Sequence, residues 1–89
     1  MANWDDVRFV LALSRNGSIR KAAKALGVNH TTVARRISAF EKRLSARLVE
    51  KTPSAYVLTA SGRIICSAAE EMESILTGAQ RRVEGADTE

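Results

Sequence analysis

Three side chains able to read the edge of a base pair lie close together near the middle of the chain. Arg35 can donate two parallel hydrogen bonds to guanine, and Thr31 can bond to a base edge or touch a thymine methyl group. His30 can donate or accept a hydrogen bond through its ring nitrogens. Ala34 precedes Arg35 and adds no long apolar side chain that a groove would exclude. These residue types favour recognition of bases in the major groove of a duplex.

A second group of polar side chains is suited to phosphates rather than to bases. It comprises Ser18, Arg20, Thr32, Arg36 and Lys51. Hydroxyl and cationic groups of this kind hold a protein on the phosphate backbone without reading its sequence. Backbone amides at the start of a helix add to the same attraction. The interpretation of Lys24 and Arg43 stays open between a phosphate contact and simple exposure to solvent.

The inventory of reactive side chains argues against catalysis and metal binding. His30 is the single histidine, Cys66 is the single cysteine, and no paired carboxylates mark a cleft. We therefore expect no enzyme activity, no metal and no cofactor. One cysteine allows no internal disulfide and fits a reducing cytoplasm. Since the chain also has neither a membrane-spanning apolar run nor a signal-peptide pattern, we expect a cytoplasmic protein without membrane contact.

Charge is unevenly distributed along the 89 residues. Residues 1–58 hold 11 Lys and Arg against 4 Asp and Glu, a net charge of +7, whereas residues 59–89 hold 3 against 6, a net charge of −3. Such a split indicates polyanion binding by the first part and a second part that stays off the polyanion. Solubilising charge on exposed faces is the alternative interpretation of composition alone. Hydrophobic residues make up 45% of the chain, which is enough for the core of one small domain.

Three helices are predicted to position the polar side chains. Apolar residues at helical spacing predict these helices over residues 3–15, 19–26 and 30–45. The residues expected to cap them are Asn3, Ser18 and Asn29.

The second and third of these helices are typical of a helix-turn-helix. Ala23 is small enough for the two helices to cross closely, Gly27 supplies the positive φ of the turn, and Val33 anchors the third helix. The buried stripe expected along the third helix is Val33, Ile37, Phe40 and Leu44. The base-reading side chains would then project from the opposite, polar face of this recognition helix.

A short hairpin is predicted next. Residues 48–51 and 56–58 have the composition of strands, and Pro53 lies in the turn between them. A hairpin directly after a recognition helix is the wing of a winged helix, and it is stable only when it packs on the helices. The expected fold is therefore mostly α, with a winged helix-turn-helix DNA-binding domain over residues 1–58.

The remaining residues predict one long helix. Thr59 can cap a linker helix over residues 59–82, about 34 Å long, and residues 83–89 are expected to form a disordered tail. Apolar residues recur along the helix at spacings of three and four, which is typical of helices that pair. This seam consists of Ile65, Ala68, Met72, Ile75 and Ala79, and it is widened by Ile64 and Leu76. Because so small a domain cannot cover the whole stripe, we expect a homodimer; packing of the helix onto its own domain is the alternative.

The order of the elements and many residues resemble the N-terminal DNA-binding region of LysR-type bacterial transcriptional regulators. The matching positions are Phe9, Val10, Gly17, Ser18, Lys21, Ala22, Ala23, Leu26, Gly27, Val28, Val33, Arg35, Ile37, Glu41, Leu44, Arg47, Leu48, Leu58, Thr59 and Gly62. The resemblance implies a transcriptional regulator whose long helix pairs antiparallel with that of a second copy. Two recognition helices would then enter the two halves of an interrupted palindrome in double-stranded DNA. It also implies a larger effector domain that these residues cannot form, so we expect a fragment with no small-molecule site; a protein that works without an effector domain is the alternative.

Some positions depart from the pattern of that family. Asn29, His30, Ala34 and Arg36 occur where Ser, Gln, Ser and Gln are usual. His30 therefore changes one base-reading group, and Ala34 removes a hydroxyl. Ser54 replaces an arginine that is usual in the wing, which leaves a minor-groove contact of the wing open. Two other functions also stay open: a winged-helix module that binds proteins, and a regulator of a different winged-helix family.

Overall fold

The computed structural model describes residues 4–87 and consists of four helices and one hairpin. The elements are α1 (Trp4–Asn16), α2 (Ile19–Leu26), α3 (His30–Leu44), β1 (Val49–Lys51), β2 (Tyr56–Leu58) and α4 (Ala60–Asp87). The predicted fold class, a winged helix-turn-helix followed by a long helix, is confirmed. The predicted cap Asn3 lies outside the described residues.

The core lies where α1, α2 and α3 meet, and the hairpin and the start of α4 close it. Its members are mainly aliphatic, with two phenylalanines among them. The buried hydrophobic residues are Phe9, Val10, Leu11, Leu13, Ala22, Ala23, Val33, Ile37, Phe40, Leu48, Val49, Cys66 and Ala69. Burial raises the pKa of the Cys66 thiol, with a further contribution from the negative charge of Glu70. Cys66 is thus a small core residue with a poorly reactive thiol.

The turn between α2 and α3 has the predicted glycine geometry. Ser18 caps α2, because its side chain accepts a hydrogen bond of 3.1 Å from the Lys21 N–H. Gly27 ends the helix with a φ of 70°, in the left-handed region that side chains with a Cβ seldom adopt. Asn29 begins α3, but its side chain makes no capping hydrogen bond. The backbone carbonyl of Asn29 accepts instead from the N–H of Thr32 at 3.1 Å, so the predicted side-chain cap is wrong.

The C-terminal end of α3 differs from the predicted end in two respects. Val33, Ile37 and Phe40 are buried as predicted, whereas Leu44 is 40% exposed because the helix runs past the edge of the small core. Ser45 lies outside the helix in the left-handed conformation, with a φ of 53°, and its N–H donates to the carbonyl of Lys42. The recognition helix therefore ends one residue earlier than predicted.

The hairpin packs on the helices through polar contacts of its backbone. Strands β1 and β2 pair antiparallel, with Val49 opposite Leu58. The Tyr56 N–H donates to the Gly17 carbonyl at 3.1 Å, which joins β2 to the turn before α2. On the other strand, Oε2 of Glu41 in α3 accepts from the Leu48 and Val49 N–H groups at 2.7 and 3.3 Å. These contacts provide the support that an isolated hairpin lacks.

Helix α4 starts against the hairpin. The Thr59 side chain accepts from the Gly62 N–H at 3.0 Å, as expected of an N-cap, and donates to the Arg47 carbonyl at 2.6 Å. Gly62 is buried at the closest approach of α4 to Leu48, where a Cβ would collide with the Leu48 carbonyl oxygen. A small residue is therefore required at this crossing.

Helix α4 also extends beyond its predicted end. It spans 28 residues and reaches Asp87, about 42 Å from its start, so residues 83–87 are helical where a disordered tail was predicted. No proline interrupts this stretch, and each added residue extends the hydrogen-bonded ladder of the preceding turn. No helix within residues 4–87 is long and apolar enough to cross a bilayer.

A surface ion pair ties α4 to α1. The Arg15 guanidinium donates to both carboxylate oxygens of Glu73, with Nη2–Oε1 at 2.7 Å and Nη1–Oε2 at 3.2 Å. This hydrogen bonding lowers the pKa of Glu73 and raises that of Arg15. The two-point geometry orients α4 relative to α1, although exposure to solvent limits its contribution to stability.

Candidate nucleic-acid interface

Helix α3 presents a continuous polar face to solvent. Its apolar residues pack inward, so the residues on the opposite side of the helix must project outward. His30, Thr31, Ala34 and Arg35, the side chains predicted to meet bases, are all exposed on this face. The structure therefore brings the four together on one accessible surface at the N-terminal half of α3.

The residues predicted to contact phosphates differ in their exposure and in the contacts that they already make. Arg20 is exposed in the first turn of α2, and Thr32 is half-buried in α3. Ser18 is half-buried and already accepts the capping hydrogen bond of α2. Lys51 is exposed on the wing, with its ammonium nitrogen 5.7 Å from the centre of the Tyr56 ring. Among the cations predicted to contact phosphates, Arg20 and Lys51 are therefore the most accessible to a ligand.

Arg36 lies in a different environment from the one predicted for a phosphate contact. Its Nε donates to Oδ1 of Asp6 at 3.3 Å, and its guanidinium carbon lies 5.0 Å from the centre of the Phe9 ring. Both partners belong to α1, so Arg36 joins two helices of the domain. A phosphate contact of Arg36 would therefore have to compete with the carboxylate of Asp6, which already pairs with this guanidinium.

Asp6 and Arg43 form part of an ion cluster that sequence reasoning missed. Asp6 is 3% exposed and accepts from both Arg36 and Arg43. By itself, an acidic residue in the first turn of a helix indicates only a favourable interaction with the helix dipole. A signal was present, because Asp6 precedes the buried Val10 and Leu13 by four and seven residues and therefore lies on the inward face of α1.

Helix α4 has an apolar surface next to the face that packs on the domain. Among large hydrophobic residues on this surface, Met72 is 49% exposed and Ile75 is 72% exposed. Together with Trp4 they line a shallow groove. The residues lining it are Trp4, Met72, Ile75, Leu76 and Ala79. Ile64 continues the exposed stripe toward the hairpin, and Val83 continues it toward the far end of the helix.

The predicted seam and the exposed stripe coincide only in part. Ala68, Met72 and Ile75 are exposed, and Ala79 is half-buried. Ile65 packs partly buried against the core of its own domain, so less of its side chain is accessible to a partner than the seam predicted. The first turns of α4 pack on the domain with one side only, the side that carries Ile65. Ile64 lies on the exposed side of the same turn and is 71% exposed.

Metal-ligating side chains do not cluster in the described part of the chain, where no group of three or more His, Cys, Asp or Glu comes together.

The fold and its exposed surface define a winged helix-turn-helix protein of the DNA-binding class. The defining features are the polar surface of α3, the supporting α2 and the hairpin beside them.

The sequence profile of the bacterial regulatory helix-turn-helix proteins of the lysR family matches residues 4–63. The chain belongs to this family, and its fold is that of the family's DNA-binding domain. The family is one of regulatory helix-turn-helix proteins.

Two curated proteins illustrate the similarity. The Mau operon transcriptional activator of Paracoccus denitrificans is 48% identical over 48 residues, which cover 54% of this chain and 17% of the activator. An uncharacterized HTH-type transcriptional regulator of Methanocaldococcus jannaschii is 40% identical over 72 residues, which cover 81% of this chain and 24% of the regulator. The chain thus spans a quarter or less of the length of these relatives.

A solved structure shares the whole fold. The DNA-binding domain of CbnR, crystallised in complex with DNA, superposes with a TM-score of 0.78 at 24% identity, over 96% of this chain and 98% of that domain. At this level of identity the comparison establishes the fold, from the first helix to the long last one.

Proposed function

We propose that this chain binds double-stranded DNA in a sequence-specific manner and does so as a homodimer that regulates transcription. The observation that carries the proposal is the polar face of α3, where His30, Thr31 and Arg35 are exposed together. The fold resembles that of a domain crystallised in complex with DNA, and the first 58 residues carry the cationic excess.

The proposed base-contacting surface is the N-terminal half of α3. Arg35 would donate two hydrogen bonds to a guanine, Thr31 would meet a base edge or a thymine methyl group, and His30 would bond beside them. Ala34 leaves room for the groove wall. These contacts would specify sequence because base edges differ in their donors and acceptors.

Phosphate contacts would fix the register of the protein on the duplex. Arg20 and Lys51 are exposed cations that would flank the groove, and Ser18 and Thr32 would contribute hydroxyl groups. The amides of the first turn of α2 would add a partial positive charge. Ser54 carries no charge in the wing, so the proposal assigns the wing's electrostatic contribution to Lys51.

The proposed dimer interface is the apolar stripe on α4. Its exposed members, including Ile64, Met72 and Ile75, resemble one side of a paired helix, and an apolar surface of this kind favours a partner. A twofold dimer presents two recognition helices in inverted orientation, so the matching site is an interrupted palindrome. A regulator of this kind acts on chromosomal DNA, and we place the chain in the cytoplasm on that ground.

Selection of bound duplexes from a random pool tests the proposal. The purified chain should enrich two inverted half-sites separated by a fixed spacer. Sedimentation of the same sample should give the mass of a dimer. Enrichment of single half-sites would contradict the dimer alone. Failure to retain any duplex at low salt would contradict DNA binding and favour a protein-binding winged helix.

A further inference from the structure

Asp6 is a buried carboxylate that holds two arginines of the recognition helix. Its Oδ1 lies 3.3 Å from both Nε and Nη2 of Arg36, and its Oδ2 accepts from Arg43. The Asp6 side chain is 5% exposed, whereas the side chains of Arg36 and Arg43 are 36% and 49% exposed. Each carboxylate oxygen thus has its own guanidinium, and burial of the carboxylate reduces, without abolishing, the screening of the two ion pairs by salt.

The two arginines lie on the same side of α3, two turns apart. Seven residues separate Arg36 from Arg43, a rise of about 10 Å along the helix axis. Each guanidinium also lies over a core phenylalanine: Arg36 is 5.0 Å from the Phe9 ring centre and Arg43 is 5.7 Å from that of Phe40. Two attachment points on one fixed carboxylate oppose both rotation of α3 about its axis and sliding along it.

Rotation of α3 matters because Arg35 is adjacent to Arg36. Successive side chains of a helix are about 100° apart, so holding Arg36 against α1 sets the direction in which Arg35 projects. A hydrogen-bonded pair with a base tolerates little misalignment. The pairing of Arg36 with Asp6 therefore affects the direction of Arg35, the side chain that is proposed to read a guanine.

We infer that Asp6 is a positioning residue for base recognition by α3. The inference rests on the proposed DNA binding and goes beyond it. Asp6 fixes the orientation of Arg35 through Arg36, and it also withholds the charges of Arg36 and Arg43 from phosphates. Both effects favour the specific site over other duplexes. A fixed Arg35 strengthens the contact with a base, and the withheld charges of Arg36 and Arg43 weaken phosphate contacts, which do not depend on sequence.

The variant Asp6→Asn tests this role, with Asp5→Asn as a matched control. Each substitution removes one negative charge from the first turn of α1, but Asp5 pairs with the exposed Arg8, at 2.9 Å, rather than with α3. Dissociation constants are measured for a duplex selected by the wild-type chain and for a scrambled duplex, over a series of salt concentrations and below the melting temperature of each variant.

In Asp6→Asn, the ratio of the scrambled to the selected dissociation constant should fall by about tenfold, the size of one weakened base contact. The salt dependence of scrambled binding should steepen by about one to two units of slope as one or both arginines become available to phosphates. Asp5→Asn should keep the wild-type ratio within about twofold, since a single distant charge shifts both affinities together.

Arg43→Gln keeps the experiment decisive if Asp6→Asn does not fold, since it removes one attachment point and leaves Asp6 paired with Arg36. This variant should show a smaller loss in the same ratio. A lowered melting temperature with an unchanged ratio would show a merely structural role and overturn the inference. Equal ratios in Asp6→Asn and Asp5→Asn would also overturn it, while the wild-type selection would still stand. A wild-type chain that selects no duplex would overturn the proposed function and this inference together.

Discussion

Arg35 and Arg36 are identical side chains at adjacent positions, yet they face different environments. Arg35 is exposed on the polar face of α3, whereas Arg36 is half-buried and hydrogen-bonded to Asp6. The rotation of about 100° between successive helical residues separates the two directions. At the scale of single residues, what a cation can do is therefore decided by its position around the helix rather than by its type.

Arg35→Ala should relax the sequence preference at one position of each half-site. The loss of a two-point contact to guanine costs about 1–3 kcal/mol of discrimination, while phosphate contacts are retained. Selection from a random pool with wild-type and variant chains measures the change. The control is Arg82→Ala, an exposed arginine near the far end of α4, which should leave the selected sequence unaltered. An unchanged preference in Arg35→Ala would assign base reading to other residues.

Arg20→Ala should weaken binding to all duplexes alike. Arg20 is exposed at the start of α2, and one lost phosphate contact flattens the salt dependence of binding by about one unit of slope. Titrations at several salt concentrations, with selected and scrambled duplexes, provide the measurement. A slope equal to that of the wild-type chain would mean that Arg20 faces solvent in the complex.

At the scale of elements, one crossing point joins the wing to the linker helix. Gly62 of α4 is buried against the backbone of Leu48, just before β1, and the Thr59 hydroxyl links the same two segments through the Arg47 carbonyl. Glu41, near the end of α3, accepts a hydrogen bond from the N–H of the same Leu48. The wing is thus held from two sides, by the recognition helix and by the linker helix.

Gly62→Ala should destabilise the domain by about 1–3 kcal/mol, because the added Cβ collides with the Leu48 carbonyl oxygen and the backbone must move. Gly78→Ala is the matched control. Gly78 lies in the same helix with open space around it, so alanine there should stabilise the helix by about 0.5–1 kcal/mol. Chemical denaturation of both variants measures the two free energies. Equal free energies of unfolding in the two variants would exclude a tight crossing at Gly62.

At the scale of the whole molecule, α4 makes the structure elongated, with extents of 52 × 25 × 21 Å. Cys66 and Ala69 lie on the side of α4 that closes the core. The neighbouring apolar stripe of α4, with Met72 and Ile75, is exposed to solvent. The proposed dimer uses this stripe, and its direction would set the separation of the two recognition helices.

Ile75→Asp should convert the proposed dimer into monomers. Ile75 is 72% exposed, so the substitution leaves the fold of the domain intact while placing a charge in the apolar interface. Sedimentation velocity measures the mass, and circular dichroism checks the helical content. Ser74→Asp, an exposed neighbour on another side of α4, should remain dimeric. An Ile75→Asp sample with the mass of a dimer would place the interface elsewhere.

The amino-acid sequence by itself determined the order of the elements and the exposed polar face of α3. Apolar spacing, the Ser18 cap and the positive φ of Gly27 are local properties, so they predicted α2, the turn and α3 correctly. The polar surface with His30 and Arg35 followed from the same periodicity, because burying one side of a helix exposes the other.

Only the tertiary structure decided which charges are held inside the protein and which part of α4 is covered. Asp6 and Arg36 are 30 residues apart in sequence, so no local pattern joins them, and their pairing depends on how α1 crosses α3. The burial of Ile65 and the exposure of Ile64 likewise depend on where the core ends along α4. Contacts between distant segments arise from packing, and a periodic pattern along one element does not contain them.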